Sequence, residues 1–241
     1  MWVVKIMKEK DIAVQGHRKR VMEKYQKAGF KSWYDYEILE LALFYILPRV
    51  DTKPIAKRLV DKFGSINGII NAEEKYLQEI EGIAEYSITF LRFLRDFCLR
   101  VSEEKLFDKD ATITSNILDS SEKVFQFLKL LIGAKSEEEF ILIFLNNQNK
   151  VIAFETLAQG VANEVFVYPR KVVEKVLYYN AVAVILAHNH PSGDLTPSDF
   201  DIDFTNKIKL TLELMDIILL DHLIISNSSF FSFTEHGLNT H

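Results

Sequence analysis

At 241 residues, 48% apolar and 26% charged, the chain is long enough for two small domains and has the composition of an ordinary globular protein. No apolar run approaches the ~20 residues that span a bilayer, Lys5 breaks the opening stretch so that it makes no secretory signal, and the single Cys98 excludes an internal disulfide; a cytoplasmic address without a membrane partner is expected. The net charge of −5 is uneven, nineteen Lys/Arg against sixteen Asp/Glu over residues 1–106 and ten against eighteen over 107–241, which confines electrostatic phosphate binding to the N-terminal part.

Residues 14 to about 100 read as a run of helices. Residues 16–28 form a basic amphipathic segment closed by Gly29, and residues 35–47 carry one apolar face that Pro48 stops. A helix over 53–63 follows, with Pro54 at its start and Gly64 just past its end. Residues 65–68 are expected to be a turn leading to another short helix, and Asn71 an N-cap with acids three residues on. The stretch 77–95, turning at Gly82-Ile-Ala84, resembles a helix-hairpin-helix, in which backbone N–H groups face a DNA phosphate. Here Ala84 replaces the second glycine, and Glu81 and Glu85 flank the turn, so a packing module that does not grip DNA is the stronger expectation. Cys98 lies between Phe97 and Leu99 in a helical pattern and is expected to be buried and inert.

Residues 1–106 therefore form a helical, helix-hairpin-helix-like domain, 107–121 a linker, and 122–241 a second domain. The second domain opens on a helix over 122–132. Glu137-Glu-Glu139 precedes a strand over 140–145, the Asn146–Asn149 run turns the chain, and 151–157 returns as a hairpin partner. A short extended piece over 165–168, a helix over 169–179, a strand over 181–187, a helix from Ser198 to about Leu214, and strands around 219–226 and 230–234 complete the order. Helices interleaved with strands of both hairpin and crossover type indicate an α/β class with a mixed sheet.

The strand over 181–187 leads into His188-Asn-His190-Pro-Ser-Gly-Asp-Leu-Thr-Pro-Ser198-Asp-Phe-Asp201. Alternation puts His188 and His190 on one side of the strand end, Pro191-Ser-Gly193 turns the chain, and a helix opening at Ser198 carries Asp201 in its first turn. Two imidazoles and a carboxylate with room for a water make the three-ligand, one-open-position pattern of a catalytic zinc site. Ser198-x-x-Asp201 also reads as a capping box, and the two roles are compatible, because a fixed helix start aims Asp201.

His188-x-His190-x7-Ser198-x2-Asp201 resembles the signature of the JAMM (JAB/MPN-type) metallopeptidases. Together with Tyr168-Pro169-Arg170, Pro191-Ser-Gly193 and Leu220-Asp221-His222, the chain is similar to the bacterial RadC family from about residue 14 to its end. The resemblance implies a C-terminal JAB/MPN (cytidine-deaminase-like) domain and a Zn2+ held by His188, His190 and Asp201, with a water as fourth ligand. It implies further that Ser198 stabilises an oxyanion and that a Glu takes the water's proton and returns it to the leaving amine. Glu155, on a strand leading to Gly160, is assigned that role, with Glu164 and Glu174 in reserve. Where the family reads Pro-Arg-Glu, this chain has Pro169-Arg170-Lys171, an amine in place of a carboxylate. Asp221 and His222 sit in an apolar strand and are read as structural, supporting the metal site from behind.

The expected function is a zinc-dependent hydrolase of the JAMM metallopeptidase or isopeptidase type acting on a peptide or amide substrate. Two alternatives stand beside it: a DNA-repair-associated accessory protein that contacts DNA weakly through the N-terminal helices, and a zinc-stabilised interaction module without turnover.

Overall fold

A computed structural model describes residues 2–107, 117–160 and 167–238, so part of the expected linker and Glu164 lie outside the described residues. The chain divides into two compact units, residues 1–95 and 96–241. Among the described residues, no helix is long and apolar enough to cross a membrane.

The first unit holds α1 (Trp2–Ala28), α2 (Asp35–Phe44), α3 (Lys53–Phe63), α4 (Ile66–Asn71), α5 (Glu74–Gln78) and the start of α6 (Glu85–Leu106). Leu39, Leu43, Ile55, Leu59, Ile69, Leu77 and Leu91 form its core. Arg18 of α1 spans the end of α2, donating to the carbonyls of Phe44, Leu47 and Val50, so a cation meets the negative end of that helix. The expected turn at 65–68 is instead a helix start: Ser65 is the N-cap of α4 and its hydroxyl accepts from the Gly68 N–H at 3.0 Å. Asn71 is correspondingly the last residue of α4, its amide donating to the Asn67 carbonyl, and Glu73 precedes α5 in its place.

The hairpin turn between α5 and α6 needs Gly82. Its φ is +92°, and a Cβ there would lie 2.7 Å from Ile55 Cδ1. Ile80 and Ile83 point into the core while Glu81 and Glu85 stand exposed. Cys98 is exposed, against expectation. The first unit's core claims α6 as far as Leu91, and the second unit's core takes Leu99 and Leu106 from its later turns, leaving Cys98 on the exposed side of the helix.

The second unit adds α7 (Ile117–Leu131), β1 (Glu138–Leu145), β2 (Val151–Gly160), α8 (Pro169–Tyr179), β3 (Ala183–Asn189), α9 (Asp199–Glu213), β4 (Ile218–Ile225) and β5 (Phe230–Ser232). Its mixed sheet has the order β2-β1-β3-β4-β5, in which only β3 and β4 run parallel. Strand alternation sorts the core into two layers. Ile141, Ile143, Ala183, Ile185, Leu223 and Ile225 pack with Phe127 and Leu128 of α7. Phe140, Leu142, Val184 and Leu186 face Val172 and Val176 of α8 and Phe204 and Ile208 of α9. β3 is buried along its whole length, as expected of a central strand covered on both faces.

β1 starts two residues earlier than its apolar run suggests, because Glu138 and Glu139 pair with Gly160 and Gln159 of β2. β2 carries one extra residue, Leu157, between the partners of Phe140 and Ile141. Lys171 of α8 donates its amine to the Leu157 carbonyl, so the amine that departs from the family pattern serves the bulge. Lys171→Met is expected to lower the unfolding free energy by about 1 kcal/mol, read as a shifted urea midpoint at unchanged slope; an unmoved midpoint would show that water serves this carbonyl equally well.

Candidate metal centre

The centre lies at the carboxyl end of β3, where the parallel β3–α9–β4 crossover opens a crevice. His188 follows Val184 and Leu186 on the α8/α9 face of β3. Phe140, its antiparallel partner on β1, stacks against the imidazole with ring centroids 5.9 Å apart. His190 stands just past the strand and is held by its backbone N–H to the Ile225 carbonyl at 3.0 Å. Gly193, at φ +80°, bends the chain so that the Asp194 carbonyl meets His190 Nδ1 at 2.7 Å.

Asp201 comes from the first turn of α9. Its backbone N–H donates to Ser198 Oγ, and its Oδ2 accepts from the Ser198 N–H at 2.8 Å and the Ser198 hydroxyl at 2.6 Å. The expected capping box is thus present. It leaves Oδ1 at 3.2 Å from His188 Nε2, with Oδ2 at 3.7 Å from His190 Nε2.

The two Nε2 atoms are 3.0 Å apart. Tetrahedral zinc, with bonds of about 2.0–2.2 Å, separates its ligands by about 3.3–3.5 Å, and the three observed separations bracket that value. His190 Nδ1 faces a carbonyl, which only accepts, so it carries the hydrogen and leaves Nε2 a lone pair. His188 Nδ1 is engaged by His222 Nε2 at 2.9 Å. Two imidazole nitrogens turned toward one another and toward a carboxylate are what a divalent cation needs. Among the described residues, His188, His190 and Asp201 form a group of donors, all within 4.8 Å of one another, that could hold a metal ion.

The charges agree with this reading. Burial alone would push the Asp201 carboxyl up, but the contacts from His188, His190 and Ser198 outweigh it and hold the group well below the usual carboxylate range. The hydrogen bond to Asp201 raises the His190 pKa against the opposing effect of burial, and the negative field of Glu138 adds to it. Burial drives His222 well below its ordinary value, so that ring is neutral. Asp221, its neighbour, points away from the centre and accepts from Ser232 Oγ and the Thr234 N–H, tying β4 to the chain after β5.

A cavity of about 450 Å³ opens over the three donors. Phe140, Val167, Phe200 and Phe204 make an apolar wall, and Ser192, Asp194, Thr196 and Ser198 a polar one. Glu138 joins the lining. It is half-buried, lies on the same face of β1 as Phe140, and makes no side-chain hydrogen bond among the described residues. Glu139 points to the opposite face, where its carboxylate pairs with Lys135.

The structure does not bring Glu155 to this cavity. Its Oε1 accepts from Tyr179 at 2.7 Å and its Oε2 meets Lys175 at 2.6 Å; these contacts hold its pKa below the usual range despite burial. Its partner across the sheet is Leu142, two residues further from the centre than Phe140. Glu174 is on the surface of α8, paired with Arg170. Glu138 is the carboxylate that sequence reasoning passed over. Its signal was the alternation Glu138–Phe140–Leu142, which places it on the core face once the strand is extended by two residues.

Residues 118–238 match the family model of the RadC-like JAB domain. Along almost its whole length the chain is similar to three UPF0758 proteins. One from Fusobacterium nucleatum subsp. nucleatum is 41% identical over 237 residues, covering 96% of this chain and 100% of the relative. One from Ruegeria pomeroyi is 37% identical, covering 93% and 97%; one from Rhodobacter capsulatus is 36% identical, covering 90% and 98%.

Proposed function

This chain belongs to the RadC-like JAB family, and on that premise we propose that it is a zinc-dependent hydrolase of amide bonds, in peptides or isopeptides. The JAB superfamily includes metal-dependent hydrolases. The observation that carries the reading is the convergence of His188 Nε2, His190 Nε2 and the Asp201 carboxylate, with the remaining ring nitrogens of both histidines already engaged. Zinc held there would supply Lewis acidity, polarising an amide carbonyl and lowering the pKa of a water toward about 7.

The chain's own residues do the rest. Glu138 stands on the cavity wall as a carboxylate without a competing partner among the described residues and takes a proton from the attacking water, then delivers it to the leaving amine. Ser198 holds Asp201, and a rotation of its hydroxyl hydrogen toward the cavity makes it a donor to the developing oxyanion. Phe140, Phe200 and Phe204 receive the apolar part of the substrate and limit water around the reacting carbonyl.

The testing experiment is a zinc titration of the metal-stripped protein at pH 6 and pH 8. One ion per chain is expected. His190 must lose its proton to bind, and its pKa is raised in the metal-free protein, so affinity grows as pH rises through and above 6.5, and binding is tighter at pH 8 than at pH 6. Absence of uptake at either pH would end the zinc reading, and equal affinity at both would remove His190 from the ligands.

A further inference from the structure

Behind the metal centre runs a hydrogen-bonded chain that leaves the cavity and returns to it. Thr205 lies one turn after Asp201 on α9, and its hydroxyl donates to the Asp201 carbonyl at 2.5 Å. The same oxygen is 2.6 Å from His222 Nδ1. Having spent its hydrogen on a group that only accepts, Thr205 can only accept from His222, so Nδ1 of His222 carries the hydrogen. His222 is fully buried, between the Phe140 and Phe233 rings; its backbone N–H donates to Asp221 Oδ1, and among the described residues no carboxylate hydrogen-bonds to its ring. A neutral ring with Nδ1 protonated presents a lone pair at Nε2, which faces His188 Nδ1 at 2.9 Å. His188 must then donate from Nδ1.

We infer that Thr205 and His222 form a buried relay that sets the tautomer of His188 and turns its Nε2 lone pair toward the metal. The inference rests on the metal site proposed above. Both act as positioning residues, since neither lines the cavity. The relay starts from a backbone carbonyl, which has no proton to lose, so its direction is set by the fold. It also begins and ends on one residue: the Asp201 carbonyl anchors Thr205, and the Asp201 carboxylate stands 3.2 Å from His188 Nε2. The helix that carries one ligand thereby orients another through the strand beside it.

The test combines long-range 1H–15N spectra of the histidines in the metal-free protein with zinc affinities from chelator competition. The Nδ1–H tautomer is expected for both His188 and His222. Thr205→Val, the same shape without the acceptor, is expected to weaken zinc binding on the order of 10–100-fold, with Thr205→Ser within about twofold of wild type on the same scale. His222→Gln, whose amide can accept from His188 and donate to Thr205, should restore most of the affinity that His222→Leu loses. An Nε2–H tautomer at His222 in the wild type overturns the relay even if every variant fails to fold. So does a Thr205→Val protein with wild-type spectra and wild-type affinity. A wild type that takes up no zinc would bring down the metal site alone, since the spectra still decide the relay.

Discussion

Glu138→Gln is expected to keep zinc at the wild-type level and to lower hydrolysis of a responsive peptide or isopeptide amide by about 10²–10⁴-fold, the usual contribution of a positioned general acid–base group. Gln has the size of Glu and no basicity, so the cavity keeps its shape while the proton loses its carrier. Glu155→Gln, assayed alongside, is expected to turn over like wild type, because its carboxylate is engaged by Lys175 and Tyr179 outside the cavity. Its cost falls on stability instead, at about 1 kcal/mol or less for a partly exposed pair. The reverse pattern, turnover lost in Glu155→Gln and kept in Glu138→Gln, would return the base to β2. Zinc retained with no turnover in the wild type across a broad amide panel would favour a zinc-stabilised interaction module.

Asp201→Asn is expected to reduce zinc affinity by about 100-fold or more, above the 10–100-fold typical of groups that only support ligands. The substitution removes the one anionic ligand and leaves two neutral imidazoles facing a divalent ion. Ser198→Ala is the contrasting variant. It deletes an N-cap and one of the two Ser198 donors to Asp201 Oδ2, costing about 1 kcal/mol of stability while the carboxylate remains. Metal content after dialysis, measured by mass spectrometry, separates the two. Equal occupancy in both variants would take Asp201 off the ligand list and leave its capping role as the whole explanation of the Ser198–Asp201 pair.

The sequence by itself determined whatever depends on neighbours along the chain. Apolar periodicity and turn residues set the bounds of Lys53–Phe63 and Pro169–Tyr179. The fourteen residues from His188 to Asp201 contain strand end, turn and helix cap together, so their convergence was legible before any contact was known. Tertiary structure alone decided what arrives from elsewhere. Glu138 reaches the cavity because β1 runs antiparallel to β3, which sets the beginning of one strand beside the end of the other; spacing along the chain carries no trace of that pairing. Glu155 looked equivalent until α8 brought Lys175 and Tyr179 to its two oxygens. Cys98 looked buried until the second unit's core took its neighbour Leu99 from α6 and left the thiol exposed. His222 read as a buried polar residue in need of partners, and only the packing of α9 and the pairing of β3 against β4 named them as Thr205 and His188. Periodicity is a local property of the backbone, whereas a catalytic distance is set by which strands and helices become neighbours, and the global burial of apolar faces makes that choice.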